Sequence, residues 1–324
     1  MTQQYNYRDF RSQGGLLQGT ESDDLFIVSA GFEPRATAAV DALSSGYHAR
    51  VGIVYVNEEL LSEPDVGSTK DNLKSLKDKL QNHCDEVRVA RGSWLDPVKQ
   101  LRALEREMEE FNSGQDSSVQ ASIDSTCFSK ETLLILLNLL YRRFKPDSPK
   151  IFYISPKEHG QWLSRGHRKI RNILGQSGLH KSTRPTTLIL LSGFESDRTE
   201  KIIEEFEAPE VLLGIGDPPT NPEFLDRNED EQDMILSQPE VDTFQFPAAS
   251  INGTKNTVSN IIQDRISERN IVVAPQSTKL STIGAWEASR DHFEVQMTYS
   301  VPGEYNYDSY STGIDELYID TVSM

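Results

Sequence analysis

Leu25-Phe-Ile-Val-Ser-Ala-Gly-Phe-Glu-Pro-Arg35 is an apolar run that stops at a glycine and passes into a helix-like stretch. An unbroken Val/Ile/Leu/Phe run without polar alternation is how a strand covered on both faces reads. A glycine just after it lets the backbone turn sharply. The same reading extends outward. Arg35 to Leu43 has helical character, Val51–Val56 is a strand, and Thr69–Asn82 carries Leu73, Leu76 and Leu80 at helical spacing. Glu86–Ala90, Val119–Ile123 and Lys150–Ile154 read as strands, with helices predicted over Pro97–Phe111 and Ser129–Phe144. After the basic stretch Trp162–Arg184 the pattern restarts. Strands are predicted at Thr187–Leu191, Val211–Ile215, Thr243–Pro247, Ile271–Ala274 and Val295–Ser300, and helices at Asp197–Phe206, Thr254–Arg265 and Thr282–Ser289. This alternation predicts an α/β protein of two tandem Rossmann-like halves with mostly parallel sheets.

The halves resemble each other, which points to an internal duplication. Ser29-Ala-Gly-Phe-Glu-Pro-Arg-Ala-Thr37 aligns with Leu191-Ser-Gly-Phe-Glu-Ser-Asp-Arg-Thr199, with one residue of slippage at the arginine. Asp124-Ser-Thr-Cys-Phe-Ser129 lies over Gln276-Ser-Thr-Lys-Leu-Ser281 at a constant offset of 152 residues. Tyr153-Ile-Ser-Pro-Lys-Glu158 matches Tyr299-Ser-Val-Pro-Gly-Glu304. The expected boundaries are a first half over 1–160, a basic connecting segment over 161–185, and a second half over 186–324 that includes a Tyr-rich tail.

The chain has 324 residues and a formal charge of -17, from 33 Lys+Arg against 50 Asp+Glu. Such a field opposes direct binding of duplex DNA or RNA. The two cysteines, Cys84 and Cys127, cannot form a disulfide framework, which favours a reducing, cytoplasmic setting. Met1–Leu16 lacks the apolar core of a signal peptide. No apolar run is long enough to span a bilayer.

In a doubly wound sheet, ligands bind beyond the carboxyl ends of the strands, at helix N-termini. The repeated motifs fall there. Gly31 and Gly193 are placed to turn the chain, Glu33 and Glu195 sit at a helix start, and Arg35 and Arg198 are placed to reach an anion. A purely structural turn, cap and surface arginine fit these residues equally. Ser125, Thr126 and Lys130, echoed by Ser277, Thr278 and Lys279, are hydroxyl and amine groups before a helix and suit an anion cradle. Ser129 can also be a plain N-cap. Gly214-Ile-Gly-Asp-Pro-Pro219 puts Asp217 after a strand, where it suits a ribose, a metal or a turn. Arg165, His167, Arg168, Lys169 and Arg171 concentrate positive charge, either for a phosphorylated ligand or an acidic partner or as a solvated basic helix. His159 beside Glu158 is a candidate base. The tail Pro302–Gly313 is either a lid that stacks tyrosines on a base or a packed meander. The acidic stretch 221–240 reads as a loop or a mobile insertion. No metal-ligand spacing is present, and the sequence names no cofactor.

A strand ending in Asp124-Ser125-Thr126 and leading through Lys130 into a helix resembles the fourth-strand motif of CARF-like sensor domains, Rossmann-like modules of bacterial defence systems. The resemblance covers this motif and the Gly31 loop. It implies a cyclic-oligonucleotide pocket lined by those residues, with Ser277, Thr278 and Lys279 in the second half. Cys127 and Phe128 stand where the family has a glycine, and Gln276 replaces the acid in the second half. The reading is thus a binding or sensor module for a nucleotide or other phosphorylated small molecule, in an antiviral defence setting, with a possible protein partner. Two alternatives stay open: a nucleotide- or phosphoester-processing enzyme using Asp124, Glu158 or Asp217, and a non-catalytic interaction subunit.

Overall fold

The structure, a computed structural model, describes residues 1–12, 22–62, 67–111, 119–217, 223–238 and 241–324. In chain order the strands are β1 (Gln3–Asn6), β2 (Asp23–Ser29), β3 (Ala49–Asn57), β4 (Cys84–Gly92), β5 (Ala121–Asp124), β6 (Lys150–Ile154), β7 (Glu158–His159), β8 (Ser164–Ser177), β9 (Thr186–Leu191), β10 (Glu210–Gly216), β11 (Val241–Phe246), β12 (Asn270–Pro275), β13 (Gln296–Tyr305), β14 (Ser311–Thr312) and β15 (Glu316–Thr321). The α-helices are α1 (Tyr7–Ser12), α2 (Ala38–Asp41), α3 (Glu58–Ser62), α4 (Gly67–Leu80), α5 (Pro97–Met108), α6 (Lys130–Leu139), α7 (Ser196–Phe206), α8 (Glu223–Leu236), α9 (Ile251–Arg265) and α10 (Lys279–Ser289). The expected α/β class is what the chain adopts.

Two compact units divide the chain. The first comprises Thr2–Gly160 with Tyr307–Met324, and the second Gln161–Asn306. The first carries a sheet of order β1-β15-β6-β5-β2-β3-β4, and the second a sheet of order β11-β10-β9-β12-β13-β8. Within the first, β4, β3, β2, β5 and β6 run parallel. Within the second, β11, β10, β9, β12 and β13 do the same. In each unit the first of these five strands sits at the centre, the next two lie to one side, and the last two to the other. An antiparallel strand then lies beside the fifth in each sheet, β15 in the first unit, with β1 beyond it, and β8 in the second, where it is the edge. The repeated sequence motifs occupy the same topological positions in both units.

The central strands are apolar because helices cover both their faces. Phe26, Val28, Val54, Val56, Phe152 and Ile154 form one buried cluster in the first unit, with Leu76 and Leu80 of α4. Leu188, Leu190, Leu213, Ile215, Val272 and Ala274 form its counterpart in the second, with Ile202 and Ile235 from α7 and α8.

The observed division departs from the expected boundaries in two places. Residues 161–185 are no connector: β8 pairs with β13 along its length and belongs to the second unit. The Tyr-rich tail returns to the first unit, where β15 completes the sheet against β6 and β1. Two local expectations are corrected as well. The basic stretch is an extended strand, not a helix. The acidic stretch 221–240 is no loop over its described part, because 223–236 is α8. Its inward face is Leu225, Asn228, Gln232 and Ile235, one residue per turn, which buries an amide where an apolar residue is usual. The prolines of the Asp217 motif, Pro218 and Pro219, lie outside the described residues.

Candidate functional site

The loop after the first central strand is pinned in the same way in both units. In the first, Arg35 is 2 % exposed. It forms an ion pair with Glu33 and donates to the carbonyl of Ile154 at the end of β6. Ser311 donates to Glu33 at 2.7 Å. In the second, Arg198 is also 2 % exposed. It lies 3.5 Å from Glu195, donates to Ser164 Oγ at 3.1 Å, and donates to the carbonyl of Ser300 in β13. Ser164 donates to Glu195 at 2.8 Å. A buried Glu–Arg pair thus ties each loop to its fifth strand, with a serine hydroxyl holding the carboxylate.

The helix after the second central strand adds a further tie. Asn72 of α4 donates to the carbonyls of Gly31 and Glu33, at 2.9 and 3.1 Å. Gln232 of α8 donates to the carbonyl of Gly193 at 2.8 Å, and Asn228 donates to Ser192 Oγ at 3.1 Å. Sequence reasoning missed Asn72, Asn228, Gln232, Ser164 and Ser311. The one signal for two of them was the once-per-turn spacing of Leu225, Asn228, Gln232 and Ile235, which the surrounding acids obscured.

Both loops press on the fourth-strand junction, which is why each carries glycine. A Cβ on Gly31 would meet Cys127 Cβ at 2.9 Å, and one on Gly193 would meet the Gln276 carbonyl oxygen at 2.4 Å. Gly193→Ala therefore forces backbone to move and is expected to cost about 1–3 kcal/mol of stability. Gly46→Ala, with nothing within 4 Å of its Cβ, serves as the neutral control. Equal melting temperatures for the two variants would refute the close approach.

The hydroxyls singled out in the first unit are spent internally. Ser125 Oγ donates to the carbonyl of Phe152, and Thr126 Oγ1 accepts from the Ile154 amide, both in β6. Asp124 is 1 % exposed. Its Oδ1 accepts from the Thr126 amide at 3.0 Å. Burial pushes the Asp124 carboxyl up to about 6, while the Thr126 hydrogen bonds and the Arg35 guanidinium pull the other way. Ser129 caps α6 by accepting from the Thr132 amide, and the first turn carries Lys130 together with the acid Glu131. Phe32 meets Tyr307 and Tyr310 edge-on, at 5.0 and 5.5 Å between ring centroids. The tail therefore packs its tyrosines on the Gly31 loop, and β14 pairs with β7, which carries Glu158 and His159.

The second unit differs in its charge. Thr278 caps α10, accepting from the Ser281 amide and donating to the carbonyl of Ala248 at 2.6 Å. The first turn of α10 starts on Lys279 and has no acid. Ser277 precedes the cap and is half-buried. Gln276 takes the position of Asp124 and is 2 % exposed. Neither its amide oxygen nor its amide nitrogen has a hydrogen-bond partner among the described residues.

The candidate acids fall apart. Asp124 is enclosed in the first unit, Glu158 is exposed on β7, and Asp217 belongs to the second unit, where its amide donates to the carbonyl of Phe246. Among the described residues, no group of three or more His, Cys, Asp or Glu side chains is placed to hold a metal ion. A groove of about 700 Å³ between α7 and α8 is lined by Asp197, Glu200, Asp226, Asp230 and Glu231 with Arg227, a charge that repels phosphate. Arg227 itself lies over the Phe194 ring, 4.3 Å from its centroid.

No family model and no curated protein matches this chain. Among solved structures it is similar to the crystal structure of an N-terminal ketoreductase from a macrolactin assembly line. The identity is 11%, over 91% of this chain and 72% of that one, with a TM-score of 0.23. A likeness at that level carries no functional argument. Among the described residues, no helix is long and apolar enough to cross a membrane.

Proposed function

We propose that the chain is a binding module for a nucleotide or another phosphorylated small molecule, and that the second unit takes the phosphoryl group at the start of α10. The observation that carries this reading is Gln276. A buried amide with two unpartnered polar atoms costs roughly 1–3 kcal/mol for each group left unpaired, and native proteins keep such groups where something else satisfies them. It sits directly before a helix N-terminus that has a lysine and no acid in its first turn, which is an anion-compatible setting. The first unit has Asp124 in place of Gln276, and the first turn of α6 sets the acid Glu131 beside Lys130, so above about pH 6 its junction is less hospitable to phosphate. The two units are specialised copies of one design in this reading, with Lys279 and Ser277 on the ligand and Thr278 holding the helix start. The resemblance to CARF-like sensors makes cyclic oligonucleotides the first compounds to try.

The test is thermal shift followed by calorimetry on the full chain, against cyclic oligonucleotides, mononucleotides and sugar phosphates. A compound that binds only the folded state raises the melting temperature by mass action. For the compound that does so, Lys279→Ala and Gln276→Leu are expected to weaken binding by about tenfold or more, and Lys130→Ala to leave it unchanged. Gln276→Leu is also expected to raise the melting temperature of the free protein, because it removes the unpaired amide. No shift with any compound, or full affinity in Lys279→Ala, would discard this reading. Turnover of the bound compound would move the protein to the enzyme class.

A further inference from the structure

Strand β8 departs from the rest of the molecule in charge, length and position. Residues 159–194 hold six Lys/Arg and no Asp or Glu, whereas residues 195–306 hold eight Lys/Arg against 22 Asp/Glu. The cations of β8 are Arg165, Arg168, Lys169 and Arg171, with His167 among them. From Arg165 to Lys169 every residue is exposed. β8 is the last strand of its sheet: β13 pairs with one side, and among the described residues no strand lies on the other.

Proteins protect sheet edges by keeping them short, by placing charged residues, above all lysine, on them, or by bulges that twist the edge away. The other edges here follow that rule. β1 has 4 residues and β11 has 6. β4 mixes Asp85 and Glu86 with Arg88 and Arg91. β8 runs for 14 residues and carries one sign of charge. Bulges where its register against β13 shifts already guard this edge, and protection against aggregation does not call for that length or that many cations besides.

We infer that β8 is a docking edge for an extended acidic segment of a partner protein, which adds a strand through its backbone and sets its carboxylates against Arg168, Lys169 and His167. Strand addition supplies affinity through main-chain hydrogen bonds, and side chains of alternating direction supply specificity. The complementary charge speeds encounter and discriminates partners. A single-stranded nucleic acid fits less well. Such strands need aromatic platforms for their bases, and the Arg165 guanidinium already covers one face of Trp162, 4.3 Å from the ring centroid. Arg165 is also held by Glu304 at 2.9 Å and the Gly166 amide donates to Asp197 at 2.6 Å, so the backbone and the exposed cations that a partner can meet begin beyond Gly166.

The probe is a fluorescent twelve-residue peptide of alternating valine and glutamate, titrated by anisotropy into the full chain. Binding at micromolar to submillimolar concentration is expected. Arg168→Glu combined with Lys169→Glu should weaken it by about tenfold or more. Both side chains are exposed, and an unchanged melting temperature would show that this variant stays folded. The same peptide N-methylated at alternate residues keeps its charge but cannot pair as a strand, and it should lose binding. Equal binding of the methylated peptide would reduce β8 to a charged surface and overturn strand addition. Tighter binding of a twelve-residue oligothymidylate would overturn the protein partner in favour of nucleic acid. No binding of the acidic peptide up to about 1 mM, which leaves less than about 4 kcal/mol of affinity, would overturn the docking edge altogether.

Discussion

Arg198→Ala is expected to destabilise the second unit by about 3–5 kcal/mol, the cost of stranding a buried charge. The guanidinium is enclosed, and its pKa is raised. Burial alone would lower it, but the Tyr299 oxygen and the Glu195 carboxylate more than offset that. Removing it takes the opposite charge away from the buried Glu195 carboxylate, which Ser164 still holds, and takes the Arg198 donor away from the Ser300 carbonyl. The double change Arg198→Met with Glu195→Gln removes both charges at similar volume and is expected to recover most of the loss. A chain of two units need not unfold in one step. Trp94→Phe makes the measurement local, because the remaining tryptophans, Trp162 and Trp286, both lie in the second unit. Urea unfolding followed by their fluorescence reads that unit alone. A loss below about 1 kcal/mol would mean that the pair is solvated and worth no more than a surface ion pair.

That expectation also shows where sequence reading stopped. The arginines at 35 and 198 read equally as anion hooks or as solvated surface arginines, because a basic side chain at a helix start beside strand ends usually faces a ligand or water. Their burial is decided by Ile154 and Ser300, which are more than a hundred residues away, and nothing local announces it. The informative signal was the pairing itself: both halves place a glutamate two or three residues before the arginine, after the same glycine. The central strands were legible for a simple reason. Strands covered on both faces must be continuously apolar, so Lys150–Ile154 and Thr187–Leu191 stand out from the sequence to within a residue. Strands outside the parallel core face no such demand. β8 is a cationic edge strand and β15, between β6 and β1, is Glu-Leu-Tyr-Ile-Asp-Thr in a Tyr-rich tail, so neither matched the buried pattern. The return of the tail to the first unit is a matter of topology, and periodicity carries no information about it. Helix α8 was hidden by its acids, since Asn228 and Gln232 occupy the face where leucines would have marked it.

The hydroxyls teach a related lesson. Ser125, Thr126 and Thr278 each looked free to cradle an anion, and each is engaged with backbone. A serine or threonine at a strand-to-helix junction has local backbone partners within easy reach. What distinguishes the junctions is the residue before them, Asp124 in one unit and Gln276 in the other. One is a buried acid held by a backbone amide. The other is a buried side-chain amide with no such partner among the described residues.

Asp124→Asn tests that distinction, and it is expected to stabilise the first unit at about pH 8. Burial raises the folded pKa of Asp124 from its ordinary value of 3.8 to about 6. A carboxyl whose folded pKa lies above its unfolded one binds its proton more tightly in the folded state. Its stabilising contribution is complete below the unfolded value and is lost as pH rises through the folded one. At about pH 8 the charged form is buried at a cost of roughly 3 kcal/mol, because each tenfold change in proton affinity is worth about 1.4 kcal/mol. Asparagine keeps the oxygen that accepts from the Thr126 amide and carries no charge. The variant is therefore expected to gain roughly 2–3 kcal/mol over the wild type at about pH 8, with the gain shrinking as the pH falls through about 6 and vanishing near about 4. The unfolding of the first unit, followed through Trp94, supplies the comparison. If Asp124→Asn is instead less stable at high pH, the Arg35 field outweighs burial, and the carboxylate is an ionised member of the Glu33–Arg35 cluster. A stabilised variant carries a functional implication too. An acid retained at a stability cost is a mark of selection for something other than folding, and the first unit would then have a task of its own, which the neutral Gln276 does not perform in the second.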